Sequence, residues 1–112
     1  MVKQQYIPER GDLIWLNFTP QAGHEQAGKR PAIVISPSSY NSKTDLMIAC
    51  PITSKIKNYP FEVLVNGKKI SGVVLADQVK SLDWKARKAT FIEKATDSVI
   101  TEIQEKLVLL IN

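Results

Sequence analysis

Cysteine and histidine occur once each in this 112-residue chain, as Cys50 and His24. A single cysteine excludes an intrachain disulfide, and one histidine beside scattered carboxylates offers no ligand spacing for zinc. No metal or other cofactor is therefore expected. The chain also lacks a phosphate-cradling P-loop and a nucleotide-binding glycine pattern, which argues against nucleoside triphosphate chemistry. Its apolar runs fall far short of the roughly 20 residues of a membrane-spanning helix. Met1-Val2-Lys3-Gln4-Gln5-Tyr6 has no apolar stretch of the kind that opens a secretory signal, so a cytoplasmic protein with no membrane attachment is expected. There is no repeat, linker or low-complexity tract. The length suits one hydrophobic core and falls short of two, so residues 1–112 are read as a single domain.

What the chain does have is an excess of positive charge. Fifteen Lys and Arg face eleven Asp and Glu, a net charge of +4. From Asp83 onward Asp83, Glu93, Asp97, Glu102 and Glu105 balance Lys85, Arg87, Lys88, Lys94 and Lys106, so the whole excess lies earlier. Such a balance favours an anionic partner, nucleic acid or an acidic protein. Apolar residues at 44% and charged residues at 23% argue for a folded chain rather than a disordered one.

Short apolar runs bounded by turn residues predict strands at residues 13–18, 31–37, 45–52, 61–65, 72–76 and 87–93. Asn66-Gly67 predicts a hairpin between the fourth and fifth of these. Residues 81–85 suggest a single helical turn. Val99, Ile100, Ile103, Leu107 and Leu110 recur at helical spacing and predict an amphipathic helix, with Thr96 or Asp97 as its cap. Strands followed by one terminal helix describe a mainly β fold, a small twisted barrel or open sheet with a helix docked on it. Cys50, between Ala49 and Pro51 in an apolar run, reads as a small core residue, and Trp15 and Trp84 as packing residues.

One polar segment stands out: Gly23-His24-Glu25-Gln26-Ala27-Gly28-Lys29-Arg30-Pro31. Breaking an RNA phosphodiester without metal needs a base for the 2′-hydroxyl, a cation for the crowded phosphorus and a proton for the departing 5′-oxygen. His24, Glu25, Lys29 and Arg30 are of those types. Arginine suits the stabilising role because its planar fork grips two phosphate oxygens and stays charged. Thr53 adds a neutral donor to a phosphate oxygen. Ser54, Lys55, Lys57, Asn58 and Tyr59 form a basic loop with an aromatic end, able to hold a single strand by phosphates and stacked bases. Asp77, Gln78 and Lys80 supply a carboxylate, an amide able to read a base edge and a further cation. The same residues also fit a solvated loop with a Glu25–Arg30 ion pair, and Asp77 also fits a turn cap.

Taken together, Gly11-Asp12-Leu13-Ile14-Trp15, residues 23–31, Pro51-Ile52-Thr53, Tyr59-Pro60-Phe61-Glu62-Val63 and residues 72–79 resemble the MazF/PemK mRNA interferases, toxins of type II toxin–antitoxin modules. Glu-Gln-x-Gly-x-Arg-Pro, here Glu25 to Pro31, is the most specific of these matches, and the MazF branch is the nearer one. The resemblance implies an SH3-like small barrel of the CcdB/PemK/MazF type with a C-terminal helix, and a homodimer. It implies ribosome-independent, metal-independent cleavage of single-stranded mRNA at ACA-like sites, leaving a 2′,3′-cyclic phosphate and a 5′-hydroxyl. The family's functional glutamate, arginine and threonine fall on Glu25, Arg30 and Thr53. In the Kid/PemK branch a histidine and an aspartate take part, matching His24 and Asp77; that branch's arginine falls on Leu75. The partner implied is an acidic-tailed, MazE-like antitoxin lying in the RNA groove, consistent with the positive charge, and the loop from Lys55 to Tyr59 is where sequence preference is expected to be set. Two other functions remain open: a CcdB-like gyrase poison, although those toxins end in Trp-Gly-Ile and this chain ends Leu110-Ile111-Asn112, and a noncatalytic RNA-binding barrel.

Overall fold

The structure, a computed structural model, describes residues 5–17 and 28–112. Its strands are β1 (Asp12–Asn17), β2 (Lys29–Val34), β3 (Leu46–Thr53), β4 (Glu62–Asn66), β5 (Ser71–Leu75), β6 (Lys80–Asp83) and β7 (Thr90–Lys94); its helices are α1 (Ser38–Thr44) and α2 (Asp97–Ile111). A single 3-10 turn, Ala76–Gln78, links β5 to β6. The strands run antiparallel in the order β4-β5-β3-β2-β1-β7, with β6 also on β3. The expected curled sheet with a terminal helix is what the chain forms.

β3 organises the site. Its first half, Leu46 to Ala49, pairs with β6, while Ile52 and Thr53 pair with β5. One strand thus serves two partners along the same edge, and a cleft opens where they part, spanned by the 3-10 turn.

Both faces of the central strands are buried, which is why Ala32-Ile33-Val34-Ile35 reads as a continuous apolar run instead of an alternating one. Leu13, Ile33, Cys50, Ile52, Val63 and Val74 pack under α2 through Ile103, with Val99 and Leu107 beside it. Ile14, Leu16, Ala32, Val34, Met47 and Ala49 pack on the other face against Trp84. Leu110 is exposed, so the inward stripe of α2 is narrower than its apolar sequence suggests. Thr96 occupies the cap position of α2 but makes no side-chain capping bond; its hydroxyl meets that of Ser98 at 3.1 Å. Among the described residues no helix is long and apolar enough to cross a membrane.

Two elements depart from the sequence reading. α1 is absent from it, because Ser38-Ser39-Tyr40-Asn41-Ser42-Lys43-Thr44 has no apolar periodicity; tertiary bonds hold this helix. Pro37 has no capping side chain, and Glu9 takes that role, accepting from the Ser38 amide at 2.8 Å and its hydroxyl at 3.0 Å. Asn41 is fully buried, donating to the Pro8 and Ser36 carbonyls and accepting from Ser36 Oγ, while its carbonyl takes the Trp84 indole N–H at 3.0 Å. The second departure is at residues 81–85, where β6 replaces the expected helical turn. Leu82 fits opposite Met47 in the ladder, and the turn comes later, closed by bonds from the amides of Arg87 and Ala89 to the carbonyls of Asp83 and Trp84.

The Asn66-Gly67 hairpin forms, and β7 secures it from outside. Glu93 accepts the amides of Lys68, Lys69 and Ile70 at 3.0, 2.8 and 2.9 Å. These bonds, that of Lys69 foremost, hold its carboxyl below the ordinary carboxylate value. The Ser38 and Arg10 amides do the same for Glu9. A carboxyl whose folded pKa is depressed contributes stability that is full above its unfolded pKa and is lost as pH falls through the folded one. Thermal stability should therefore fall as pH drops below about 4.3, the ordinary value of a free glutamate. Glu93→Gln should flatten that dependence; an identical pH profile would show that the hairpin bonds do not contribute.

Candidate nucleic-acid interface

β2 and β3 pair antiparallel with Ala32 opposite Pro51. Continuing that register by two residues sets Arg30 across from Thr53, and alternation puts both on the face shared by Ala32 and Pro51. This places the loop arginine and the threonine, 23 positions apart in sequence, at the mouth of one cleft.

That cleft, of about 390 Å³, is lined by Arg30, Thr53, Gln78, Lys80 and Arg87 above a floor that includes Leu16, Ala32, Cys50, Pro51 and Leu82. Among the described residues its charged lining is all cationic. A neighbouring cleft of about 300 Å³ is lined by Thr53, Lys55, Lys57, Tyr59, Glu62, Asp77 and Gln78. A shallower one joins Arg30 and Thr53 to Ser54. Thr53 lines all three and Leu75 the first two. Cations above an apolar floor stabilise an anion more strongly than they would in open water.

Local chemistry fits each group to a role. Thr53 Oγ1 accepts the Lys55 amide at 3.2 Å, which turns the chain into the loop and leaves the hydroxyl proton for an acceptor. Cys50 is fully buried, and burial, with the nearby negative charge of Asp77, pushes its thiol up to about 12. It is a packing residue with no thiolate to offer. The Tyr59 hydroxyl donates to Asp77 Oδ2 at 2.7 Å, and this bond keeps the phenol protonated above its ordinary range. The loop itself is pinned at both ends: the Lys57 amide donates to Glu62 Oε2 at 3.0 Å, and Lys106 of α2 reaches the Pro60 carbonyl at 2.7 Å.

Of the residues singled out in the sequence, Arg30, Thr53, Ser54, Lys55, Lys57, Tyr59, Asp77, Gln78 and Lys80 are brought together around these clefts. Lys29 is not: alternation turns it to the opposite face of β2, and it lines none of them. Asn58 also lines none; its φ of 58° bends the loop before Tyr59. His24 and Glu25 lie outside the described residues. Arg87 was missed. It sits in the turn after β6, lines the main cleft and donates from Nη1 to the Asn17 carbonyl at 3.3 Å. The signal for it is the basic cluster Lys85-Ala86-Arg87-Lys88, which falls across the expected turn at 81–85 and the expected strand at 87–93.

Comparison with known proteins agrees with this geometry. Residues 9–111 match the family model described as PemK-like, MazF-like toxin of type II toxin-antitoxin system. Over 86 residues the chain is 55% identical to the endoribonuclease toxin MazF of Escherichia coli K12, covering 77% of this chain and 78% of that one. It is 32% identical to endoribonuclease PemK of Escherichia coli, covering 96% of this chain and 84% of PemK. Among solved structures, a MazE-MazF crystal structure from Deinococcus radiodurans superposes with a TM-score of 0.87 at 47% identity, covering 96% of this chain and 98% of that one. A crystal structure of MazF from the same organism gives 0.85 at 54% identity, with the same coverage.

Proposed function

The chain belongs to the PemK-like, MazF-like toxins of type II toxin–antitoxin systems and is an endoribonuclease of the MazF branch, and from that premise we propose that it cuts single-stranded RNA in the cleft shared by Arg30 and Thr53. The observation that carries this is the lining of that cleft: Arg30, Lys80 and Arg87 supply positive charge beside the Thr53 hydroxyl, over an apolar floor. In the proposed reaction Glu25 takes the 2′-hydroxyl proton and the 2′-oxygen attacks phosphorus. The bond to the 5′-oxygen breaks, leaving a 2′,3′-cyclic phosphate and a 5′-hydroxyl. Arg30 meets the charge that builds on the phosphoryl oxygens, and Thr53 holds the phosphate. Leu75, lining both larger clefts, has no proton to give. Protonation of the leaving oxygen therefore falls to residues 23–31, with His24 the candidate donor.

ACA-like sequences are the proposed targets. The chain acts as a homodimer of single-domain protomers in the cytoplasm, restrained by a MazE-like antitoxin whose acidic tail competes for the same cationic cleft. A chimeric oligonucleotide with one ribose in a deoxyribose background tests the chemistry. Cleavage is expected only at the phosphate after that ribose, with a cyclic phosphate on the product. Cutting of an all-deoxy strand would overturn the mechanism, and binding without any cyclic product would establish the noncatalytic barrel instead.

A further inference from the structure

The two larger clefts share a wall. Among the described residues three line both of them: Thr53, Leu75 and Gln78. Leu75 is the apolar member. It stands on β5 two residues beyond Val73, the ladder partner of Thr53, and alternation puts it on the Thr53 face of the sheet. Its main chain is held from the side: Leu75 pairs with Glu62 of β4, and the next amide, that of Ala76, donates to the Phe61 carbonyl at 3.0 Å. The side chain is half-buried, so this fixed footing carries an apolar ridge that reaches the surface. On each side of the ridge apolar surface lies beside cations. The cleft of about 390 Å³ combines Leu16 and Leu82 with Lys80 and Arg87, and that of about 300 Å³ combines Tyr59 with Lys55 and Lys57. Both volumes fall within the range of pockets that take small organic ligands, so each has room for one base. A strand whose scissile phosphate lies at Thr53 thus has a cleft for the base on either side.

We propose that Leu75 is a wedge that parts the two bases flanking the scissile phosphate, sending one into each cleft. The inference rests on the endoribonuclease reading above and adds a positioning residue to it. The 2′-oxygen can displace the 5′-oxygen only when the two lie on opposite sides of phosphorus, and continuous stacking of the bases holds the backbone away from that line. Parting the bases frees the backbone to reach it. Apolar side chains such as leucine part stacked bases in nucleic-acid complexes, and unpaired RNA bases splay readily into pockets. The stacking lost at this step is offset by the contacts each base gains in its own cleft.

Exciton-coupled circular dichroism of two adjacent 2-aminopurines reports the stacking of that one step. The pair is placed across the mapped cut site of an oligonucleotide made uncleavable by a deoxyribose before the scissile phosphate. Saturating wild-type protein should abolish the signal, whereas Leu75→Ala should bind and leave most of it. On cleavable RNA, Leu75→Ala should lower kcat by on the order of a hundredfold, the cost of a small misplacement of the reacting atoms, with KM little changed. Leu75→Met, which keeps the bulk of the wedge, should restore both readouts. A wild-type complex that keeps the exciton signal overturns the proposal, and this result does not depend on any variant folding. A signal lost as completely with Leu75→Ala as with the wild type also overturns it, as does an unchanged kcat. Failure of the wild-type protein to cut any RNA would instead remove the underlying endoribonuclease reading itself.

Discussion

Arg30→Ala should lower the cleavage rate by two to three orders of magnitude, roughly the loss seen when a single preorganised donor to a developing oxyanion is removed. Its melting temperature should hardly move. Arg30 is exposed, and its place in the sheet is set by main-chain pairing with Leu16, which alanine preserves. Surface changes of this kind alter stability by about 0.5 kcal/mol or less. Arg30→Lys should restore only part of the rate, because an ammonium is a point charge and cannot grip two phosphate oxygens in one plane. Binding should also lose about one unit of its salt dependence, as for any single phosphate contact removed. Single-turnover cleavage of a labelled RNA, with binding measured over a salt series, separates these effects. An unchanged rate would place the chemistry elsewhere.

Gly72→Ala should damage fold and site together. Gly72 has a φ of 152°, where side chains are strained, and a Cβ there would run into the Thr53 carbonyl. Main chain on main chain leaves no flexible end to yield. Its neighbour Val73 is the ladder partner of Thr53, so β5 must part from β3 at the residue proposed to hold the phosphate. The combined strain and lost pairing amount to about 2–4 kcal/mol, or a melting temperature lower by roughly 10–20 °C. Cleavage by the remaining folded protein should fall as well, because Thr53 has been displaced. Ser71→Ala, next door and exposed, is the control. A Gly72→Ala protein with wild-type melting and activity would show that the seam between β3 and β5 does not position the threonine.

Where the chain's own pattern dictates structure, the sequence was sufficient. β1, β3, β4 and β5 follow apolar runs closed by Gly, Pro or Asn, and Val99, Ile103 and Leu107 mark the buried stripe of α2. Where a partner dictates structure, it was not. β2 begins two residues before Pro31 because Lys29 and Arg30 find Asn17 and Leu16 opposite them. α1 exists through Glu9 and Asn41, neither of which is part of a helical pattern. β6 depends on β3 lying alongside. The same divide runs through the site. Arg30 and Thr53 were legible because their motifs carry their chemistry, whereas Arg87 comes to the cleft through a turn held against β1, the Asn17 amide donating to the Arg87 carbonyl at 2.9 Å. Lys29, grouped with Arg30 by composition, stands on the other face of β2, and composition does not report which face of a strand a residue takes.

Side chains grip the main chain of the loop over residues 54–60 at three points: Thr53 takes the amide of Lys55, Glu62 the amide of Lys57, and Lys106 the carbonyl of Pro60. A main-chain anchor is largely indifferent to the side chains strung between its ends. Lys55 and Lys57 can therefore be exchanged over generations without unseating the loop, while the cutting floor on β2 and β3 stays as it was. On the expectation that this loop sets the RNA preference, a lineage built this way is free to drift in the sequence it cuts, and an antitoxin can follow it by changing the residues that face a loop whose path does not alter.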